Sequence, residues 1–196
     1  MKAIIFDIGN VLVRWDPHLA FLHALPDREA VDAFMARVDF LGWNYENDRG
    51  RSIMGTLDAF TGADRDLLAS YKDRFHLTIA EPVEGTWGLL DQLAGRYQIH
   101  AITNWSAETW PVGVQVHPRL AEVFGTTIVS GQVGLLKPDA AIFALLCEQA
   151  GLEPEECLFI DDSAANVAGA RAFGMEAHHF TGAEGLARDL TARGLL

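Results

Sequence analysis

Three acidic positions and one lysine carry the reactive chemistry of this sequence. Asp7 follows the apolar run Ala3-Ile4-Ile5-Phe6, which reads as a short buried strand, and Ile8-Gly9-Asn10 comes next. Asp161-Asp162 closes a second such run, Cys157 to Ile160, and Thr103-Asn104 closes a third, Tyr97 to Thr103. Lys137 stands just before Pro138 at the head of a helix-like stretch. A carboxylate at a strand end can be a nucleophile, a metal ligand or both. Carboxylates gathered together repel, so one must take a proton or a cation must sit between them. Mg2+ suits this set, because it takes hard oxygen ligands, needs one or two carboxylates and binds beside phosphate. Asp7 and Asp162 could each give it one oxygen. The Gly9 carbonyl could give a third, since glycine permits close approach. Lys137 would balance charge and hold a phosphoryl oxygen. Thr103, Asn104 and the N–H groups of the following turn would hold another. The set suits phosphoryl transfer through an aspartyl-phosphate: Asp7 attacks phosphorus and water later splits the acyl-phosphate.

These residues must be positioned by a parallel sheet. Expected strands at 3–6, 97–103, 126–130, 157–160 and 176–180 alternate with helices at 86–94, 138–150, 163–173 and 183–193, and a helix over 107–116 is interrupted by Pro111. Such alternation gives a doubly wound, Rossmann-like α/β core with right-handed crossovers, whose ligand crevice lies at the C-terminal strand ends. Pro138 is expected at the first position of its helix, and Val11-Leu12-Val13 as a second short apolar piece after the first strand. From Asp16 to about Pro82 no strand is evident, and apolar spacing is helical instead. The expected organisation is an α/β catalytic core of residues 1–15 and 83–196, with residues 16–82 as an inserted all-helical cap of four or five helices over the site.

Bulk properties narrow the partners. The chain has 196 residues, long enough for a substantial core, and a formal net charge of -12. That charge argues against nucleic acid, which wants a basic stripe, and against an anionic membrane surface. No apolar run approaches the ~20 residues of a membrane span. Met1 leads directly into a strand, so no signal peptide is expected. The two cysteines, Cys147 and Cys157, give neither a disulfide framework nor a zinc pattern, and fit core positions in a reducing cytoplasm. The expected partner is a small phosphorylated molecule, and the chain a monomer or a homodimer.

The motifs, taken in order, resemble those of the haloacid dehalogenase (HAD) superfamily, which is mostly phosphatases. Phe6-Asp7-Ile8-Gly9-Asn10-Val11 looks like its first motif, Ile102-Thr103-Asn104 its second and Lys137-Pro138 its third. Phe159-Ile160-Asp161-Asp162-Ser163 with Asn166 looks like the fourth. The resemblance implies Asp7 as nucleophile and Mg2+ ligand, Gly9 as carbonyl ligand and Asp162 as metal ligand. It implies Thr103 and Asn104 as phosphate binders and Lys137 as the charge-balancing lysine. Asp161 would orient Lys137 or reach the metal.

The sequence departs from the superfamily pattern at Gly9, where most of these phosphatases carry a second Asp as general acid and base. Such a group is worth ~10²–10⁴-fold. Its absence makes phosphomutase chemistry improbable and predicts a bias toward good leaving groups. The Asp-x-Gly-Asn-Val form is similar to a branch that includes sugar-1-phosphate phosphatases. Asp16 is a candidate surrogate acid, with an N-cap before Pro17 as its alternative. Arg49 is a candidate contact for the rest of the substrate, and Trp105 a surface on which a sugar face could stack. Two other readings stay open. A metal-free 2-haloacid dehalogenase suits Gly9 but gains little from paired acids, and a non-catalytic binding protein would have no need to keep Asp7 and Lys137.

Overall fold

The computed structural model describes all residues, Met1–Leu196. Five strands form one parallel sheet: β1 (Ala3–Phe6), β2 (Gln98–Thr103), β3 (Thr127–Val129), β4 (Cys157–Asp161) and β5 (Glu176–His179). Their order is β3-β2-β1-β4-β5. The chain runs outward from β1 through β2 and β3, then returns to lay β4 against the other side of β1. The switch point is therefore the crevice between β1 and β4, where such sheets bind their ligands. Phe6 registers with Ile160, so Asp7 and Asp161 leave the sheet side by side.

β1 and β4, up to its terminal Asp161, are apolar and buried on both faces, and period-2 alternation divides the strands' side chains between two cores. Ile4, Phe6, Ala101, Leu158 and Ile160 belong to one core, while Ala3, Ile5, Ile102, Cys157 and Phe159 belong to another on the opposite face. The helices after β1 are α1 (Arg28–Arg37), α2 (Phe40–Asp48), α3 (Ile53–Thr56), α4 (Gly62–Thr78) and α5 (Thr86–Ala94). They are followed by α6 (Trp110–Val116), α7 (Ser130–Val133), α8 (Ala140–Ala150), α9 (Ala164–Phe173) and α10 (Ala183–Ala192). α8 and α9 cover the second face, and α5 and α10 contribute to the first. Residues 16–82 hold α1 to α4 and two short 3-10 turns, with no strand.

The first core continues without a break into that helical stretch. Phe21, Phe34, Phe40, Trp43 and Tyr71 join the same buried cluster as Phe6 and Ile160. Their rings touch edge-on or stacked, and the series passes through Phe75 to Trp105 and Trp110 beside the sheet. This aromatic seam fixes the helices above the strand ends.

The apolar piece Val11-Leu12-Val13 is buried and forms a turn, with the Leu12 and Val13 N–H groups donating to the Ile8 carbonyl, and Val13 makes isolated bridges to Gly9 and Pro82. Two local expectations need correction. α8 begins at Ala140 with Asp139 as its N-cap, so Pro138 lies with Lys137 in the preceding loop and not at the first position of the helix. The helix expected over 107–116 starts only at Trp110, with Pro111 in its first turn, where a missing N–H costs nothing.

Candidate active site

A cavity of about 210 Å³ lies over the C-terminal ends of β1, β2 and β4. Asp7, Gly9, Asn10, Asn104, Lys137, Asp162 and Asn166 line it from the sheet side. Trp15, Asn44, Asp48, Tyr71, Phe75 and Ile79 line it from the helical stretch, with Trp105 and Thr109 beside them. Asp7, Gly9, Asn104, Lys137 and Asp162, all singled out in the sequence, thus meet in one place. Thr103 is buried at the end of β2 and Asp161 behind Lys137, both outside the cavity lining.

The floor is held by a buried lysine. Lys137 Nζ donates to the Ile102 carbonyl at 3.0 Å and to Asp161 Oδ2 at 2.6 Å, and pairs with Asp7 Oδ1 at 2.8 Å. Asp161 also accepts from the Ser163 N–H at 2.8 Å and from the Asn166 amide at 3.0 and 3.1 Å. Its oxygens are committed to protein donors, which makes it the group that positions Lys137. Asp7 Oδ1 accepts from the Ile8 N–H at 2.7 Å as well as facing Lys137, leaving Oδ2 without a protein donor. Asn104 clips the loop that carries Lys137: its Oδ1 accepts from the Lys137 N–H at 2.9 Å and its amide donates to the Lys137 carbonyl at 3.0 Å. The Trp105 N–H, expected to be open to a phosphate, donates instead to Ser130 Oγ at 2.9 Å.

The electrostatics of this floor are unbalanced. Carboxylate oxygens of Asp7, Asp161 and Asp162 all lie within 4.8 Å of one another, against the single ammonium of Lys137. Burial pushes Asp7 up to about 8; Lys137 pulls it down, while Asp161 and Asp162 push it further up. Asp162 is raised by burial and by Asp161. Such a set of hard oxygens, short of positive charge, fits a divalent cation such as Mg2+, with Asp7 and Asp162 as the carboxylates not fully used by the protein. Gly9 is not there because of crowding, since a Cβ at this position would meet nothing within 4 Å.

Two sequence candidates lie elsewhere. Asp16 caps the 3-10 turn at Pro17 through the His18 N–H and pairs with Arg28 and His18, outside the cavity lining. Its carboxyl is held low, chiefly by Arg28, which is the reverse of what an acid needs. Arg49 lies exposed over the Tyr45 ring, 5.3 Å from its centroid, and does not line the cavity. Trp105 does line it, while Trp110 packs edge-on behind at 5.4 Å. Sequence reasoning passed over Asn44 and Asp48. The available signal was their i, i+4 spacing at the end of a helix, where an acid opposes the macrodipole and so has no structural motive.

A parallel sheet with an acid, a buried lysine and an acidic pair converging at its switch point has the Rossmann-like α/β architecture. The chain belongs to the family of haloacid dehalogenase-like hydrolases, whose sequence model matches residues 1–174. A chloroplast flavin mononucleotide hydrolase of Arabidopsis thaliana is 33% identical over 114 residues, covering 58% of this chain and 46% of that protein. A sesquiterpene phosphatase of Aspergillus oryzae is 25% identical over 181 residues, covering 92% of this chain and 90% of that protein. This chain therefore spans less than half of the plant relative's length and nearly all of the fungal one's. Among solved structures, a HAD family enzyme of Bacteroides thetaiotaomicron, captured with magnesium and inorganic phosphate, superposes with a TM-score of 0.71 at 19% identity. That match covers 91% of this chain and 93% of the other. Dehalogenases of known structure share the fold too. No helix is long and apolar enough to cross a membrane.

Proposed function

We propose that this chain is a Mg2+-dependent phosphomonoester hydrolase acting through an aspartyl-phosphate on a small phosphorylated metabolite. The observation that carries this reading is the floor itself: three carboxylates within 4.8 Å, two of them, Asp7 and Asp162, not fully used by protein donors, around a lysine that is 2% exposed. In this reading Asp7 Oδ2 is the nucleophile, aimed by the contacts on Oδ1. Asp7, Asp162 and the Gly9 carbonyl hold Mg2+, and Asp161 keeps Lys137 against Asp7. The cation supplies positive charge that lets an anionic nucleophile approach an anionic phosphate. Lys137 adds to that field as a point charge, since its three hydrogens already have protein partners. The remaining Asn104 N–H serves a phosphoryl oxygen, while Thr103, buried outside the lining, does not reach the cavity.

A sugar 1-phosphate suits the upper cavity, where the Asn44–Asp48 pair and Thr109 offer polar groups beside the Trp15 and Trp105 rings. Gly9 alone also suits a metal-free displacement at the carbon of a 2-haloacid. The excess of carboxylate at Asp162 opposes that, because without a cation it works against the approach of an anionic substrate.

Hydrolysis of p-nitrophenyl phosphate, with Mg2+ and with chelator, tests the reading beside Asp7→Asn. The expected result is turnover that needs Mg2+ and falls by about 10³-fold or more in the variant. Halide release from 2-chloropropionate without metal would point to the dehalogenase instead, and turnover of neither compound would remove the enzymatic reading.

A further inference from the structure

We propose that Asp48, at the end of α2, is the general acid and base of this site, in place of the acid missing at Gly9. The proposal rests on the phosphatase reading above. Asp48 lines the same cavity as Asp7, Lys137 and Asp162, and comes from the opposite wall. Its Oδ2 accepts from the Asn44 amide, one helical turn earlier, at 2.9 Å. No lysine, arginine or histidine pairs with it, unlike Asp16. The backbone is anchored to the core: Ser130 Oγ donates to the Asp48 carbonyl at 2.6 Å and accepts the Trp105 N–H at 2.9 Å. Gly50, two residues on, approaches so closely that a Cβ there would lie 3.0 Å from the Gly131 carbonyl. The helix end is therefore pinned to the rim of the site, which is what a proton donor requires.

The charged and titratable groups that share the cavity are Lys137 from the loop before α8, Asp7 after β1, Asp162 after β4 and Tyr71 on α4. Burial pushes the Asp48 carboxyl up to about 7, against the Ser106 N–H, Asn44 and Lys137, which pull it down. A group poised there carries a proton in part of the population at neutral pH and can also accept one.

The steps balance. Asp7 Oδ2 forms a bond to phosphorus as the ester P–O bond breaks, and the departing oxygen takes the proton of the Asp48 carboxyl, releasing an alcohol. Water then attacks phosphorus and passes a proton to the Asp48 carboxylate. The Asp7–phosphorus bond breaks, inorganic phosphate leaves, and both side chains return to their starting states.

The test compares kcat/KM for p-nitrophenyl phosphate and benzyl phosphate, esters of similar size whose leaving groups do not need and do need protonation. It uses the Mg2+-loaded wild-type protein and Asp48→Asn. The expected loss in the variant is about 10²-fold on benzyl phosphate and less than about 3-fold on p-nitrophenyl phosphate. The wild-type profile on benzyl phosphate should fall above about pH 7, a limb absent for the aryl ester and absent in the variant. That wild-type limb is readable even if the variant does not fold. Equal losses on both esters, no loss on benzyl phosphate, or no such limb would overturn the assignment to Asp48 while leaving the phosphatase reading intact. Turnover of neither ester by the wild type would overturn both.

Discussion

Lys137 has given all three of its hydrogens to the protein, to Ile102, Asp161 and Asp7. A lysine so bound cannot swing toward a ligand without breaking a buried bond, so its contribution is charge at a fixed point. Asp48 is its opposite: it forms no ion pair, and its one side-chain partner is the Asn44 amide. A raised carboxyl has a stability signature with a definite sign. Unfolded, Asp48 titrates near its ordinary value of 3.8; folded, it titrates near about 7. Between these values the folded state holds a proton that the unfolded state lacks, so stability falls as pH rises. Below the window the benefit is fully present, and above it the benefit is gone. Asp48→Asn should therefore match the wild type near pH 4 and exceed it at pH 8, the gap growing by at most about 1.4 kcal/mol per pH unit. Thermal melts of both proteins across that range check this, and parallel curves would contradict it. Asp7, Lys137 and the acidic pair were legible in the sequence because each punctuates an apolar run. Asp48 was not, because its role arises from where α2 docks, and docking leaves no local pattern. Gly9 was legible as a missing acid, but the wall facing it was not.

Glycines set how closely two elements reach the site. Gly169 on α9 faces the loop that carries Lys137, and a Cβ there would stand 2.5 Å from the Pro138 carbonyl and 2.7 Å from its Cβ. Gly88 on α5 has open space instead, with nothing within 4 Å. Replacing a helical glycine by alanine favours the helix by about 1 kcal/mol, whereas overpacking costs about 1–3 kcal/mol. At Gly169 the obstacle is backbone and cannot rotate away, so the clash should win. Gly169→Ala is expected to lower Tm and, by shifting the Lys137 loop, to lower kcat; Gly88→Ala should raise Tm slightly and leave kcat alone. Unfolding melts with a phosphatase assay on both variants check the pair. The strands and most helices followed from periodicity: α9 starts one residue inside the expected 163–173, because Ser163 is its N-cap, and ends at Phe173 before Gly174. The head of α8 did not, because Lys137-Pro138 reads as a helix start, while the bonds from Asn104 hold Lys137 in a loop. That choice is tertiary and lies 33 residues away in sequence.

At the scale of the whole molecule, the helices of residues 16–82 and one face of the sheet share a single apolar core. The two walls of the cavity are thus held by packing as well as by the Ser130 and Asp48 contact. This arrangement lets an acid on one wall serve a nucleophile on the other. The α/β class and the strand-end site were readable from alternation alone, since parallel strands share one edge. The upper wall was not, because aromatic residues at helical spacing look alike whether they face a core or a ligand. Excess negative charge at the floor and across the chain makes the approach of an anionic phosphate the central physical problem, and a nucleophile on Asp7 beside a cation is the answer the geometry offers. The most direct test catches the covalent intermediate. Mg2+-loaded protein turning over p-nitrophenyl phosphate is quenched rapidly in acid, and its peptides are mapped by mass. One phosphoryl group is expected on Asp7, absent from Asp7→Asn. An adduct on any other residue, or turnover with none at position 7, would contradict Asp7 as the nucleophile.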